Sequence, residues 1–297
     1  IINPDILISE GFGQWTPFAL IYSIFKRKEL WISYERTIFT ERNCPKWRTL
    51  YRKVINLFVK GYLVNGKLTT DYLTKVICVK NKLIKVGCMS ADSEGLSQKK
   101  RTFNENEKVK LIEQLKLNNS IRFLFVGRII ELKGLKYLLE AWTDFIQNNN
   151  LAELIIIGEG DQKEFLKQKY TLDKSIHILG MVDYDEIYKY YSIADVFILP
   201  TLEDNWSLVV PEAMACGLPI ATSIYNGCHP ELVKPGENGC VFNPLSKISI
   251  VDTLNYFLKN KEKLKEMGQK SVDIESQYTT NKVAKRIFDA VNSKEND

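Results

Sequence analysis

Residues 204–212 combine two carboxylates with a pattern that predicts the start of a helix. Asp204 lies in a polar loop, and Glu212 follows it eight positions later. Between them, Ser207 is a residue type favoured at helix N-caps, and Pro211 is tolerated in the first turn, where N–H groups have no partner inside the helix. Such N–H groups and the helix dipole favour an anion. Amides that hold a phosphate, beside carboxylates that accept hydroxyl hydrogen bonds, indicate a nucleotide-sugar site.

A second loop carries two cations. Gly127 and Arg128 follow an apolar stretch of strand character, and Lys133 comes shortly afterwards, before a predicted helix. A guanidinium forms forked hydrogen bonds with phosphate, and an ammonium acts as a point charge. Each residue alone is typical of a protein surface. Together with the amides of Ser207 and Leu208, the two cations predict a diphosphate site.

Two further patterns have structural interpretations. The Gly-Glu-Gly sequence at 158–160 lacks the third glycine of a dinucleotide fingerprint, because Lys163 stands in its place, and it indicates a tight turn. The Asp-Tyr-Asp sequence at 183–185 resembles a metal-binding pair, yet Glu186 and the amphipathic helix after it favour a capping box. No other cluster of His, Asp and Glu supports a metal, so the site is expected to be independent of metals.

The chain has two histidines. His177 alternates within a predicted strand and is interpreted as structural. His229 lies in a loop beyond another predicted strand end, where it is a candidate for the wall of a pocket. No Ser/His/Asp or Cys/His pattern of nucleophilic catalysis is indicated.

The composition is that of an ordinary soluble globular protein, with 45% hydrophobic and 26% charged residues among 297. This length accommodates two domains. No apolar run is long enough to span a bilayer, and no basic segment precedes an apolar one as in a signal peptide. The six cysteines lack zinc-like spacing and are expected to be reduced, so the sequence predicts a cytoplasmic protein. Because the chain begins Ile-Ile-Asn-Pro rather than with Met, it is interpreted as a fragment.

The net charge of +5 is unevenly distributed. Residues 1–100 hold 17 Lys and Arg against 8 Asp and Glu, a net charge of +9, which leaves −4 for the remainder. This asymmetry predicts an anionic partner on the N-terminal side. A nucleic-acid partner is not expected.

The basic segment 42–60 contains a predicted amphipathic helix, and two interpretations of it stay open. It is either a core helix with a solvated basic face, which includes Arg48 and Arg52, or a peripheral membrane surface. In the second case it would attract anionic lipid headgroups or a lipid-phosphate acceptor.

The elements that must position these residues alternate between strands and helices, which predicts parallel sheets covered on both faces. Strands are expected near 5–9, 30–34, 62–64 and 83–86 in the first part, and near 122–126, 152–157, 176–179, 196–199 and 218–222 in the second. The fold class is therefore α/β, with two Rossmann-like doubly wound domains whose ligands lie beyond the carboxyl ends of the strands. A partial first domain with a linker at 89–102 is predicted over residues 1–100, a second domain over 101–276, and a C-terminal helix that packs back on the first domain over 277–297.

The ordered set of motifs resembles the retaining glycosyltransferases of the GT-B fold, the glycosyl transferases group 1 family. It comprises GR…LKG at 127–134, IIIGEG at 155–160, ADVFILP at 194–200, EDNWSLVVPEAMACGLP at 203–219 and NG…PELV…PGENGCVF at 226–242. Each motif is weak by itself, whereas the ordered set is specific. The resemblance covers residues 120–290 strongly and 1–100 weakly. It implies a donor-binding second domain and an incomplete acceptor-side first domain.

The resemblance implies a role for each candidate residue. Arg128 and Lys133 are expected to hold the diphosphate of a UDP- or GDP-sugar, and Glu212 the ribose hydroxyls. Asp204 corresponds to the first acid of the family's paired glutamates and is expected to contact the sugar near its reacting carbon. These four residues are the catalytic candidates. The other donor-binding candidates are Gly127, the base-binding backbone of Gly180, Met181 and Val182, and the segment Glu203, Asn205, Trp206, Ser207 and Leu208.

The chain departs from the family pattern in three places. Asp204 is shorter than the usual Glu, although Glu203 is adjacent, and the early strands of the acceptor domain are not found. The acceptor-side His of the family is also missing; because Tyr34-Glu35 stands near its place, Glu35 joins His229 as an acceptor-side candidate.

The family implies transfer of a hexose, with retention and without a cofactor, to a glycan or lipid-linked acceptor in surface polysaccharide assembly. Two alternatives stay open. One is a sugar epimerase of the same fold, although such enzymes depend on acid–base histidines. The other is a non-catalytic subunit that binds nucleotide-sugars or regulates a partner.

Overall fold

A computed structural model describes residues 3–118, 120–148 and 152–293, which form an α/β structure. The strands are β1 (Ile6–Glu10), β2 (Glu29–Tyr34), β3 (Gly61–Val64), β4 (Leu83–Val86), β5 (Ile121–Val126), β6 (Ala152–Ile157), β7 (Ile176–Gly180), β8 (Val196–Leu199), β9 (Ile220–Ser223) and β10 (Gly239–Phe242). The helices are α1 (Thr16–Lys26), α2 (Lys46–Asn56), α3 (Lys67–Tyr72), α4 (Ser93–Thr102), α5 (Glu105–Gln114), α6 (Leu135–Asn148), α7 (Lys163–Lys169), α8 (Ile187–Ile193), α9 (Val209–Ala215), α10 (His229–Leu232), α11 (Lys247–Lys259), α12 (Leu264–Glu275) and α13 (Thr280–Asn292).

The described chain divides into two compact units, each with one parallel sheet. The first unit contains residues 3–90, 204–206 and 280–293, and its strands lie in the order β1-β2-β3-β4. The second unit contains 91–203 and 207–279, apart from the short undescribed stretches, and has six strands. The fold class predicted from the sequence, an α/β protein with two parallel-sheet domains, is confirmed.

The four-stranded unit has a core on each face of its sheet, because successive strand residues point to opposite faces. Leu30 and Ile32 of β2 pack in one cluster with residues of α2 and α3, whereas Trp31 packs on the other face against Ala290 of α13. Gly61 lies opposite Trp31 in the register of β3, and an added Cβ there would lie 2.5 Å from the indole. Helices therefore cover both faces, and the close approach of Trp31 requires glycine on the neighbouring strand.

The six-stranded sheet has the order β10-β9-β8-β5-β6-β7, and its strands are parallel. Every residue of β6 and β8 is buried, which explains their near-continuous apolar sequences. The chain runs outward in one direction from β5 to β7 and in the other from β8 to β10. The topological switch point is therefore between β5 and β8, and a ligand crevice is expected beyond their carboxyl ends.

The structure corrects two details of the sequence interpretation. Residues 93–102, assigned to a polar linker, form helix α4 of the six-stranded unit. Its single buried leucine, Leu96, and the buried hydrogen bond from Ser93 to Glu275 at 2.5 Å hold this polar helix in place. Strand β10 was missed because four residues with one glycine give little periodic signal.

None of the six cysteines, all of which lie in the described parts of the chain, forms a disulfide bond. Within the described residues, no helix is both long and apolar enough to cross a bilayer.

Candidate active site

The loop after β5, which carries both predicted diphosphate ligands, is held between two neighbouring loops. Beside β6, the N–H of Ile129 donates to the carbonyl of Glu159 at 2.8 Å. Beside β8, the N–H of Leu202 donates to the carbonyl of Leu132, also at 2.8 Å. The loop is therefore fixed at the switch point of the six-stranded sheet.

The close approach of these loops requires glycine at two positions. Gly134 has a φ of +68°, and a Cβ there would lie 2.1 Å from the carbonyl oxygen of Pro200. Gly158 has a φ of +148°, and its Cβ would lie 1.8 Å from the carbonyl oxygen of Gly127. Any side chain at either position would force the loops apart. The tight turn predicted at 158–160 comes slightly later, where the N–H of Lys163 donates to the carbonyl of Gly160 at 3.2 Å.

Arg128 and Lys133 stand at the carboxyl end of β5. Arg128 is exposed, and Lys133 is half-buried at the end of a single 3-10 turn, Glu131–Lys133. Both cations are therefore on the sheet edge where a ligand crevice is expected.

Glu212 is a buried carboxylate with two tyrosine partners. Its residue is 8% exposed, and each carboxylate oxygen accepts one tyrosine hydroxyl, from Tyr184 at 3.3 Å and from Tyr191 at 3.2 Å. Burial raises the pKa of Glu212 from 4.5 to about 7, against the opposing effect of the two hydrogen bonds. A carboxylate held this way titrates near neutral pH and can accept hydroxyl hydrogen bonds when ionised.

The predicted base-binding loop lies at the end of β7. Gly180 has a φ of +84°, and the exposed Met181 donates its N–H to the Glu159 carboxylate at 3.2 Å. Glu159 also pairs with Lys163 at 2.6 Å. Two residues after Val182, Tyr184 reaches Glu212, so this loop and the ribose candidate are brought together. Glu159, which the sequence interpretation assigned only to a turn, thus contacts this loop, and the N–H of Gly158 also donates to the carbonyl of Gly180 at 2.8 Å. The sequence signal for Glu159 was a carboxylate between two glycines at a strand end.

The structure places the segment 203–208 in two units. Glu203, Ser207 and Leu208 belong to the six-stranded unit, whereas Asp204, Asn205 and Trp206 group with the four-stranded one. The Asp204 carboxylate accepts the N–H of Trp206 at 3.2 Å, which forms a local turn. Asp204 and Glu212 are thus not brought together within either unit.

The helix after this segment begins later than predicted. Helix α9 starts at Val209, has seven residues and lacks a side-chain cap, so the prediction of Ser207 as its N-cap is wrong. The Ser207 N–H instead points to Asn226 Oδ1 at 3.5 Å, and its buried hydroxyl has no hydrogen-bond partner among the described residues. Pro211 is the third helical residue, where its missing N–H costs nothing.

Asn226, which the sequence interpretation did not single out, organises the loop after β9. It is buried, donates to the Thr222 hydroxyl at 3.0 Å and accepts the N–H of Cys228 at 3.4 Å. His229 opens α10 just beyond this loop, half-buried, and burial lowers its pKa below the ordinary value. The imidazole of His229 is therefore neutral at pH 7.

The predicted capping box at 183–186 is wrong. Helix α8 begins at Ile187 without a side-chain cap, and the exposed Asp185 pairs with Lys99 at 2.5 Å. Across the described parts of the chain, no group of three His, Cys, Asp or Glu residues is arranged to hold a metal ion.

The four-stranded unit has a cleft of about 650 Å³ at the carboxyl ends of β1 and β2. Its lining includes Glu35, the acceptor-side candidate, and Glu10 at the end of the adjacent strand. Beside it, Arg52 is buried rather than solvated, so that part of the basic-face interpretation is wrong. Arg52 donates to both carboxylate oxygens of Glu41, at 2.7 and 3.0 Å, and to the Tyr72 hydroxyl at 2.5 Å. Burial of the guanidinium is tolerated because Glu41 neutralises it.

Comparison with known proteins places these features in a family. Residues 107–272 match the profile of the glycosyl transferases group 1 family.

The amylovoran biosynthesis glycosyltransferase AmsK of Erwinia amylovora is 33% identical over 168 residues, which cover 54% of this chain and 40% of that protein. The UDP-Gal:alpha-D-GlcNAc-diphosphoundecaprenol alpha-1,3-galactosyltransferase of Escherichia coli is 31% identical over 231 residues, 70% of this chain and 59% of that enzyme. The chain thus spans less than two thirds of the length of these relatives.

Solved structures share the fold. The crystal structure of Anabaena Alr3699/HepE in complex with UDP superposes with a TM-score of 0.81 at 19% identity, over 97% of this chain and 79% of that one.

Proposed function

Because this chain belongs to the glycosyl transferases group 1 family, we propose that it transfers a hexose from a UDP- or GDP-sugar to a glycan or lipid-linked acceptor. The configuration of the transferred sugar is retained, and no metal or other cofactor takes part. Support for the acceptor class comes from relatives, one of which is named for a diphosphoundecaprenol-linked substrate and another for amylovoran biosynthesis.

One observation carries this proposal: the convergence of strand-end loops at the switch point between β5 and β8. The cation-bearing loop is hydrogen-bonded to the loops after β6 and β8, and the loop after β7 reaches Glu212 through Tyr184. In this arrangement Glu212 holds the ribose hydroxyls and the backbone of residues 180–182 holds the base. Ser207, with its unpartnered hydroxyl, and Leu208 contribute to the phosphate site.

The two cations stabilise the leaving diphosphate. Cleavage of the bond between the anomeric carbon and the phosphate oxygen leaves its electron pair on the diphosphate, where negative charge develops. Arg128 supplies a forked pair of donors and Lys133 a point charge, both on a loop whose backbone is hydrogen-bonded to its neighbours. These two fixed positive charges stabilise the leaving diphosphate in the way that a bound divalent cation does in metal-dependent enzymes.

The acceptor hydroxyl attacks the anomeric carbon from the face that the diphosphate leaves. A carbon–oxygen bond to the acceptor forms, the bond to the phosphate oxygen breaks, and the acceptor proton passes to that departing oxygen. Asp204 contacts the sugar near this carbon, and Glu35 and His229 belong to the acceptor side. The products are the glycosylated acceptor and a nucleoside diphosphate.

The basic segment 42–60 brings the protein to the cytoplasmic face of a membrane in this proposal. Its exposed cations, which include Arg42, Lys46, Arg48 and Lys53, are suited to anionic headgroups.

Transfer and hydrolysis assays with UDP- and GDP-sugars test the proposal. Arg128→Ala is expected to lower kcat/KM about a hundredfold, because one donor to the developing charge is lost. Glu212→Ala is expected to weaken nucleotide binding about tenfold. Arg101 is an exposed arginine of α4, and Arg101→Ala serves as the matched control. This variant should leave kcat/KM and nucleotide binding unchanged. Binding of every donor without turnover on any acceptor would instead indicate a nucleotide-sugar-binding subunit.

A further inference from the structure

We infer that Tyr184 competes with a ribose hydroxyl for the carboxylate of Glu212 and transfers its hydrogen bond to the backbone carbonyl of Asp92 when a nucleotide binds. This inference rests on the proposed role of Glu212 in holding the ribose, and it adds Tyr184 as a positioning residue for the donor. Tyr184 lies in the loop between β7 and α8, and Glu212 lies on α9. The loop that carries residues 180–182 therefore also supplies the competing hydroxyl.

The hydroxyl of Tyr184 has one proton and two acceptors within reach. Its oxygen lies 3.3 Å from Glu212 Oε1 and 3.2 Å from the carbonyl oxygen of Asp92. Because a phenol donates a single hydrogen bond, the two acceptors must share it or exchange it. If a ribose hydroxyl takes the place of Tyr184 on Glu212, Tyr184 still donates to Asp92. Its displacement therefore costs less than the loss of a hydrogen bond without a second acceptor.

Exposure distinguishes Tyr184 from the other tyrosine on Glu212. Tyr191 donates to the second carboxylate oxygen at 3.2 Å, and its residue is 0% exposed, whereas Tyr184 is 50% exposed. A ring inside a close-packed interior cannot turn away without opening that interior. Tyr184 can rotate on its solvent side. The geometry therefore assigns the exchange to Tyr184, while Tyr191 orients Glu212 both before and after a nucleotide binds.

The alternative acceptor of Tyr184 is held in place. Asp92 immediately precedes helix α4, whose first residue, Ser93, donates its hydroxyl to the buried Glu275 of α12 at 2.5 Å. This buried hydrogen bond fixes the start of α4 on the second unit, and with it the carbonyl of Asp92. Rotation of the Tyr184 side chain is therefore sufficient for the exchange.

The competition depends on the charge of Glu212, because an ionised carboxylate is the stronger acceptor. Burial raises the pKa of Glu212 to about 7, and the charge of Asp92 acts in the same direction. On α9 itself, Cys216 is uncharged near neutral pH, because burial raises its pKa to about 12, and Lys100 of α4 and Glu275 of α12 act on this thiol. Competition by the tyrosine hydroxyl is therefore expected to strengthen as pH rises through 7.

Isothermal titration calorimetry of the 297-residue chain with UDP and with GDP tests the inference without requiring turnover. Tyr184→Phe should bind nucleotide about tenfold more tightly than the wild type at pH 8.5, because a competing hydrogen bond to an ionised group is removed. This gain should disappear at pH 6, where Glu212 is protonated. Tyr191→Phe should give no gain at either pH, because Tyr191 bonds Glu212 with and without nucleotide. Tyr170→Phe removes a hydroxyl at the end of α7 and, as the neutral control, should bind like the wild type.

Three outcomes would overturn the inference: unchanged or weaker binding by Tyr184→Phe at pH 8.5, an equal gain at pH 6 and pH 8.5, or a matching gain in Tyr191→Phe. The Glu212→Ala variant separates this inference from the proposed function. Weaker binding by Glu212→Ala without a gain in Tyr184→Phe would contradict the role of Tyr184 alone. Failure of the wild type to bind either UDP or GDP would contradict the nucleotide-sugar site, and the role of Tyr184 with it.

Discussion

At the scale of single residues, the surroundings of Glu212 determine its pKa. Burial favours its protonated form and raises its pKa to about 7, while two tyrosine hydroxyls partly offset this effect. A ribose that displaces only the exposed Tyr184 and donates two hydroxyls, while the buried Tyr191 stays in place, would add a hydrogen bond and stabilise the ionised form. Nucleotide affinity is therefore expected to rise as pH increases through 7.

Replacement of Glu212 by glutamine should remove a pH dependence of stability. Because the folded pKa lies above the ordinary value of 4.5, the contribution of Glu212 is fully present below about pH 4.5 and is lost as pH rises through about 7. A shift of this size corresponds to roughly 3–4 kcal/mol. Denaturant unfolding of both proteins at pH 5 and pH 8 measures it: the wild type should lose more stability than Glu212→Gln. Equal losses of stability in the two proteins between pH 5 and pH 8 would show that the pKa of Glu212 is not raised.

At the scale of loops and helices, a glycine keeps the cation-bearing loop beside the loop after β8. Gly134→Ala would place a Cβ 2.1 Å from a carbonyl oxygen in a left-handed conformation. Gly236 is a matched control, since it has a φ of +82° and nothing within 4 Å of an added Cβ. Gly236→Ala should cost about 1 kcal/mol, and Gly134→Ala on the order of 3 kcal/mol. Equal costs in unfolding experiments, or unchanged nucleotide binding by Gly134→Ala, would contradict this role.

The buried Glu41–Arg52 pair anchors the end of the first unit that holds the cleft. Burial alone would raise the pKa of Glu41, but the hydrogen bonds and charge of Arg52 hold it below the ordinary value. Glu41→Gln should therefore destabilise the protein by about 3 kcal/mol, because Arg52 is left buried without a counter-charge. Lys67→Ala, which breaks an exposed pair with Asp71, should cost less than about 1 kcal/mol. Similar unfolding midpoints for the two variants would rule out an anchoring role.

The local sequence pattern predicted most strands and helices. It did not predict contacts between residues far apart in the chain, which stabilise helices such as α4. Apolar runs such as β6 and β8 were identified because burial on both faces leaves a continuous hydrophobic signal. Helix α4 was assigned to a linker because its stability comes from contacts with residues far along the chain, among them Cys216, whose carbonyl accepts from Lys100. The burial of Arg52 depends on Glu41, which lies outside helix α2, so the helical pattern of residues 46–56 does not reveal this partner.

In the candidate site, too, local motifs were predictable from the sequence, whereas long-range contacts were not. The positions of Arg128 and Lys133 after β5, and of Glu212 in the helix that follows β8, were expected from motif order, since the carboxyl ends of parallel strands share one edge. The contacts of Glu212 with Tyr191 and of Met181 with Glu159 were not, because each joins residues more than twenty positions apart.

At the scale of the whole molecule, family membership, two parallel-sheet units and a charge of +9 on residues 1–100 are consistent with separate donor and acceptor functions. The predicted domain roles, a donor domain over 101–276 and an acceptor-side domain over 1–100, stay predictions. The nucleotide-sugar site is the claim on which both depend, because transfer needs a bound donor before it needs an acceptor.

A crystal structure of this chain with UDP or GDP tests that claim most directly. We predict the diphosphate within hydrogen-bonding distance of Arg128 and Lys133, and the ribose hydroxyls on Glu212 in place of a tyrosine. A nucleotide bound elsewhere, or a Glu212 carboxylate that keeps both tyrosines while the nucleotide is bound, would contradict the account.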